Sequence, residues 1–225
     1  MIEPELPQAV LFDLDGTILD TETLAHRCFH QACEDIGWQV DDALYLQCVG
    51  TTSQATGQIL MQGLGGSFPL EKLRQRWAVH YHAFIDKQPV AIKSGVEALL
   101  HCLKAQSIPM AVVTSSKRPQ VETKLHMCGL SDFFNLLVCA DEAGAGKPDP
   151  APYLLASQQL QVSPRTCWVL EDSDNGTRSA HTAGARVFQI PDIVPPGAEM
   201  QNLGHTIVDS AHAVLGHLRA CLVSR

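Results

Sequence analysis

One apolar run, residues 9–14 (AVLFDL), is followed by no further strand pattern for about eighty residues, and that gap constrains the fold more than any other feature. Ala9, Val10, Leu11 and Phe12 continue without a polar break until Asp13, the pattern of a strand covered on both faces. Similar short runs return only from about residue 90 onward, at 110–113, 136–139, 167–170, 187–190 and 206–208, in alternation with helical patterns. That alternation predicts βα units and a parallel sheet, an α/β core of Rossmann-like type, with the first strand separated from the rest by an insertion.

The insertion reads as helical. Ala25, Cys28, Phe29, Ala32, Cys33 and Ile36 repeat at the spacing of an amphipathic helix, and Gly37 supplies its stop. Weaker helical patterns cover 53–61 and 70–85, separated by a glycine-rich turn at 63–67. Residues 22–89 are therefore expected to form a small helical domain, and residues 1–21 with 90–225 the core. The candidate hinges are 20–23 and 88–93. Ser94 is expected to cap a helix carrying Val96, Leu99, Leu100 and Leu103, and Ser210 to cap the last one.

A chain of 225 residues buries roughly 70–75 % of its unfolded surface, enough to fold without staples. With 16 Lys and Arg against 24 Asp and Glu, a net charge of −8 and no basic run, it lacks the electrostatic drive for nucleic acid or an anionic membrane. No apolar run approaches the ~18 residues of a membrane span, and the N-terminal MIEPELPQ lacks the basic start of an export signal. Eight cysteines stand singly with no Cys-x-x-Cys pair, the pattern of reduced thiols in a cytoplasmic protein. The size is compatible with a monomer.

The chemistry concentrates at strand ends. Asp13 and Asp15 in Phe12-Asp13-Leu14-Asp15-Gly16-Thr17 lie two apart at the carboxyl end of the first strand and point to one side if the chain stays extended. Open α/β sheets bind ligands at that end. Two adjacent carboxylates either share a proton or recruit a cation, and both outcomes suit phosphoryl transfer, one Asp attacking phosphorus and the other handling the proton. The plainer reading is that they satisfy turn amides. Three more fragments follow in order: Val112-Val113-Thr114-Ser115-Ser116, Gly146-Lys147-Pro148 and Leu170-Glu171-Asp172-Ser173. Taken singly, Thr114 is a strand-end hydroxyl, Lys147 a solvated lysine, and Glu171 and Asp172 caps for a helix starting near Asn175.

In this order, and with the helical insertion between the first and second, the four fragments resemble the haloacid dehalogenase superfamily of aspartate-nucleophile phosphohydrolases. Within it they are most similar to the branch of β-phosphoglucomutase and small-metabolite phosphatases. The resemblance implies a phosphatase of a small phosphorylated metabolite such as a sugar phosphate, with a phosphosugar mutase as the alternative. Asp13 would be the nucleophile and Asp15 the general acid and base. Asp13, the Asp15 carbonyl and Asp172 would hold Mg²⁺, with Glu171 accepting from metal-bound water. Thr114, Ser115 and Lys147 would contact the phosphoryl group. The helical segment would act as a lid, with Thr51 and Thr52 as its substrate loop, and Lys117 would reach a polar substrate tail.

Two departures weigh against the mutase. No Lys or Arg lies between Val49 and Thr56, where β-phosphoglucomutases carry cations for a second phosphate, and Ala25 stands where the branch commonly has His. His26 is displaced by one place, about 100° around a helix. A non-catalytic module of the same fold is disfavoured because Asp13, Asp15, Lys147 and Asp172 are all present. A zinc site at His26 and His30, or at His80 and His82, is set aside because neither pair has a third ligand nearby in sequence.

Overall fold

The computed structural model describes residues 5–223, so the first four residues of the N-terminal stretch considered above lie outside the described residues. The first apolar run is β1 (Ala9–Phe12), buried throughout. Four helices and no strand follow it: α1 (Thr21–Asp35), α2 (Asp42–Leu46), α3 (Ser53–Leu64) and α4 (Leu70–Ile85). Then come α5 (Val96–Ala105), β2 (Met110–Val113), α6 (Arg118–Met127), β3 (Leu136–Val138), α7 (Ala151–Gln159) and β4 (Cys167–Glu171). The described chain closes with α8 (Asp174–Thr182), β5 (Arg186–Gln189), β6 (Thr206–Ile207) and α9 (Ala211–Val223).

The strands form one parallel sheet in the order β3-β2-β1-β4-β5-β6. β1 lies between β2 and β4, with Phe12 opposite both Val112 and Leu170, so the residues after these three strands emerge side by side. The strand order reverses here, and this is where open sheets leave a crevice.

Strand alternation divides the core in two. Val10 and Phe12 face a cluster with Leu99, Leu100 and Leu103 of α5 and Val214 and Leu218 of α9. Ala9 and Leu11 face Tyr153 and Ala156 of α7 and Ala180 of α8. A third cluster, including Phe29, Cys33, Tyr45, Leu60, Phe68 and Leu73, lies within the inserted helices. Full burial of each large apolar side chain is worth about 1.5–3 kcal/mol, so each cluster stabilises its own layer substantially.

The inserted segment leaves and returns along adjacent paths. Asp20 donates its amide to the Ala91 carbonyl at 2.8 Å, and Lys93 its amide to Ile18 at 2.9 Å. Helix α1 starts earlier than its apolar repeat, because Asp20 accepts from the Thr23 amide and caps it. It stops as its sequence requires: Gly37, at φ 75°, donates to Glu34, and Trp38 donates to Cys33. The five-residue α2, capped by Asp41 through the Ala43 amide, is too short to leave a periodic signal.

Ser94 does not cap α5. Gly95 occupies that position at φ 85° with no side-chain cap, and a Cβ there would lie 2.5 Å from the His212 amide nitrogen, so close approach of α9 selects glycine. The Ser210 hydroxyl donates to Asp209 at 3.0 Å. All eight cysteines are free, six of them buried, with Cys102 and Cys128 partly so. Among the described residues, no helix is long and apolar enough to cross a membrane.

Candidate active site

The Asp13 amide still donates to Leu170 at 2.9 Å, so the sheet fixes its backbone to β4. The chain then turns at Gly16, φ 88°, whose amide donates to Leu19. A Cβ on Gly16 would lie 2.3 Å from Asp172 Oδ2; its absence lets the carboxylate after β4 reach over the β1 turn. Carboxylate oxygens of Asp13, Glu171 and Asp172 lie within 4.8 Å of one another. Asp172 also accepts from the Thr17 hydroxyl at 3.3 Å.

Lys147, almost fully buried, points into this cluster. Its ammonium donates to Asp13 Oδ1 at 2.5 Å, Glu171 Oε1 at 2.6 Å and the Val113 carbonyl at 2.9 Å, which engages all three of its protons. Glu171 is itself held: Tyr153 donates to Oε1 at 2.5 Å and Ser173 to Oε2 at 3.2 Å. Its oxygens are turned to these donors, so Glu171 acts here as the anchor of Lys147. The cap of α8 is Ser173, accepting from the Gly176 amide, and not Glu171 or Asp172.

Asp15 faces another pair of donors. Ser116 Oγ reaches Oδ2 at 2.6 Å and Lys124 Nζ reaches Oδ1 at 2.5 Å. Thr114 Oγ1 accepts the Ser116 amide at 3.0 Å, which ties the strand-end hydroxyls into one turn.

Electrostatics follows from burial. Desolvation pushes the Asp13 carboxyl well above its ordinary range, and Lys147 opposes that shift. Asp172 is raised further by burial and by the charges of Asp13 and Glu171. Burial alone would lower the Lys147 ammonium, but Asp13 and Glu171 outweigh it and raise the net value. The same balance holds for Lys124, with burial opposed chiefly by Asp15. Four carboxylates thus meet two ammonium groups, and the deficit is one that a divalent cation relieves.

Asp13, Asp15, Thr114, Ser115, Lys147, Asp172, Thr51 and Thr52 line one cavity of about 530 Å³. A second lobe of about 450 Å³ shares Asp15, Glu22 and Thr51 with it and runs between Trp77, Tyr81 and Arg74 of α4 and Lys124 of α6. Lys117 is not brought to either lobe: it sits exposed at the N-terminal cap position of α6. The neighbouring Arg118 is bound by Glu142 and the Leu137 carbonyl. Sequence reasoning missed Lys124, Tyr153, Glu22 and Arg74, which lie outside the four motifs; Ser116 stood inside one. Burial, reinforced by Asp192 and Asp15, pushes the Glu22 carboxyl up to about 7.

Residues 10–190 match the sequence profile of the haloacid dehalogenase-like hydrolases. The chain belongs to that family. It is 28 % identical over 222 residues to a phosphorylated carbohydrates phosphatase of Thermotoga maritima, covering 96 % of this chain and all of that one. It is 29 % identical over 183 residues to the fructose-1-phosphate phosphatase YqaB of Escherichia coli, over 78 % of this chain and 92 % of that one. Among solved structures it resembles a putative β-phosphoglucomutase of Thermotoga maritima, with a TM-score of 0.79 and 27 % identity over 94 % of this chain and 98 % of that one. The chemistry available here is that of a carboxylate cluster beside a buried lysine. The neighbouring carboxylates of Asp13 and Asp172 are hard oxygen donors that suit Mg²⁺.

Proposed function

We propose that this enzyme is a Mg²⁺-dependent phosphatase of a small phosphorylated metabolite, a sugar phosphate, and that it works through an aspartyl phosphate on Asp13. The observation that carries the reading is the Asp13–Lys147–Glu171 chain beside Asp172, with Asp15 held two residues from Asp13 by Ser116 and Lys124. Asp13, Asp172 and the Asp15 carbonyl would hold the ion, which supplies positive charge against the phosphoryl oxygens.

Asp13 attacks phosphorus, and the bond from phosphorus to the ester oxygen breaks. Asp15 gives that oxygen a proton, then takes one from the water that attacks the aspartyl phosphate and frees Asp13 with release of inorganic phosphate. Both Asp15 oxygens are engaged by donors. Proton delivery therefore requires one contact, to Ser116 or Lys124, to exchange for the substrate oxygen. Lys147 keeps the nucleophile oriented and offsets charge building on the transferred oxygens. Thr114 and Ser115, at the end of β2, contact the phosphoryl group.

Residues 22–89 serve as the lid, swinging on the paired linkers and bringing Thr51 and Thr52 over the site. Leaving-group selection belongs to the lobe between α4 and α6. The names of the relatives support phosphorylated carbohydrates as the substrate class.

The mutase reading is favoured by one contact: Arg74 of α4 reaches the start of α3, next to the substrate loop, donating to the Ser53 carbonyl at 2.8 Å. Glu71 neutralises it at 2.7 Å, and Lys124 and Lys147 are likewise paired with carboxylates. No cation is left uncompensated among Lys147, Lys124 and Arg74 for a second phosphate, which favours hydrolysis. Inorganic phosphate accumulates with a phosphatase, whereas a mutase conserves total ester phosphate. Asp13→Asn is expected to abolish phosphate release from aryl and sugar phosphates while its circular dichroism spectrum stays unchanged. Normal turnover in that variant would sink the mechanism.

A further inference from the structure

Outside the catalytic cavity, three ligating atoms converge on the surface of the inserted helices. His26 and His30 stand one turn apart on α1, and α2 begins with Asp42 close above them. His26 Nε2 lies 3.0 Å and His30 Nε2 2.8 Å from Asp42 Oδ1, and the two ring nitrogens are 3.2 Å apart. Sequence spacing offers no third ligand for this histidine pair; the fold supplies one.

Both Nε2 protons can point to Asp42 Oδ1, with the two ring nitrogens then 3.2 Å apart, whereas a bare Nε2 turns its lone pair toward the carboxylate oxygen. With both nitrogens bare, the same three atoms offer three lone pairs within 3.2 Å of one another. A metal ion satisfies all three lone pairs together. In a tetrahedral site with bonds of ~2.0–2.1 Å, neighbouring ligand atoms lie ~3.3 Å apart, close to the observed triangle.

Local structure aims the groups. Asp41 uses its carboxylate to cap α2 through the Ala43 amide at 3.1 Å, which leaves Asp42 free to turn toward α1. The His26 ring packs on the buried Tyr45 ring at 4.7 Å, which fixes its orientation. With side-chain exposures of 35, 32 and 66 %, the three residues leave a fourth position open to water.

We propose that His26, His30 and Asp42 form a site for a divalent transition-metal ion, Zn²⁺ by the fit of its nitrogen and oxygen donors, which ties α1 to the start of α2. Helix α2 leads into the loop that carries Thr51 and Thr52, so the ion also anchors one end of that loop.

The test is calorimetric titration of Zn²⁺ into the intact chain with Mg²⁺ in excess, so that the oxygen-rich catalytic cluster is already filled. Wild type is expected to bind one more Zn²⁺ per chain than His30→Gln or Asp42→Asn, or to bind that ion at least tenfold more tightly. Metal-free melting curves of both variants check folding, and the exposed Asp42→Asn keeps the test decisive if the histidine variant is unstable. Co²⁺ bound at this site should give ligand-field bands without the charge-transfer absorption of a thiolate. Isotherms that coincide for wild type and both variants, or a thiolate band that survives in them, would overturn the proposal.

Discussion

Glu22 opens α1 at the junction of the two cavity lobes, half-buried, with Asp192 and Asp15 as like-charged neighbours. Burial first, and then those charges, raise its carboxyl from an ordinary 4.5 to about 7, against a weaker pull from Lys124 and Lys93. A group whose pKa is higher in the folded state stabilises the fold fully below its unfolded value and loses that contribution as pH rises through the folded one. The window for Glu22 therefore runs from about pH 4.5 to 7, and above it the folded state carries an unfavourable buried charge. At 1.36 kcal/mol per pH unit the upper bound is about 3.4 kcal/mol, and partial access to water reduces the expected effect to about 1–3 kcal/mol. Glu22→Gln removes the charge with little change of shape. Urea unfolding in EDTA, from pH 4.5 to 8.5, should show the variant equal to wild type at the acid end and more stable by about 1–3 kcal/mol at pH 8. Asp13 and Asp172 titrate in both proteins and cancel in the difference. A difference that stays flat across this range, or a variant less stable at pH 8, would refute the reasoning.

Other consequences are equally direct. Tyr153→Phe removes one charge-assisted hydrogen bond to the fully buried Glu171 without opening a cavity, and chemical denaturation should register a loss of about 1.5–3 kcal/mol. Lys124→Met leaves Asp15 with Ser116 as its remaining donor of the pair, and steady-state assays should show kcat reduced by about tenfold or more, consistent with a lost positioned acid–base group. Gly16→Ala forces a methyl to 2.3 Å from Asp172 Oδ2 at a left-handed φ; the Mg²⁺ concentration for half-maximal activity should rise, and the backbone strain should cost about 1–2 kcal/mol of stability.

The sheet was legible because its strands are short, apolar and separated by helices with strong periodicity. All six strands fall on runs visible in the sequence, with ends shifted by at most two residues. Helix starts were harder. Asp20 initiates α1 five residues before Ala25, the first apolar position of its repeat, and Gly95 replaces the expected Ser94 cap because α9 presses against it. Capping hydrogen bonds and close approach act through atoms that an apolar pattern does not record. Of the expected site residues, Lys117 lies at the start of α6 and lines neither lobe, since a lysine next to a motif need not point where the motif points.

The sequence alone determined which groups stand at the ends of β1, β2 and β4, because in a parallel sheet every strand delivers its carboxyl end to the same edge. Asp13, Asp15, Thr114 and Asp172 needed nothing more than that. What holds them depends on contacts between distant parts of the chain. Lys124 reaches Asp15 across 109 residues of chain and Tyr153 reaches Glu171 across 18. Asp42 meets His26 across the 16 positions of chain between them. Local spacing encodes direction along one element, whereas these contacts depend on how separate elements pack, and packing is fixed by burial of the clusters between them.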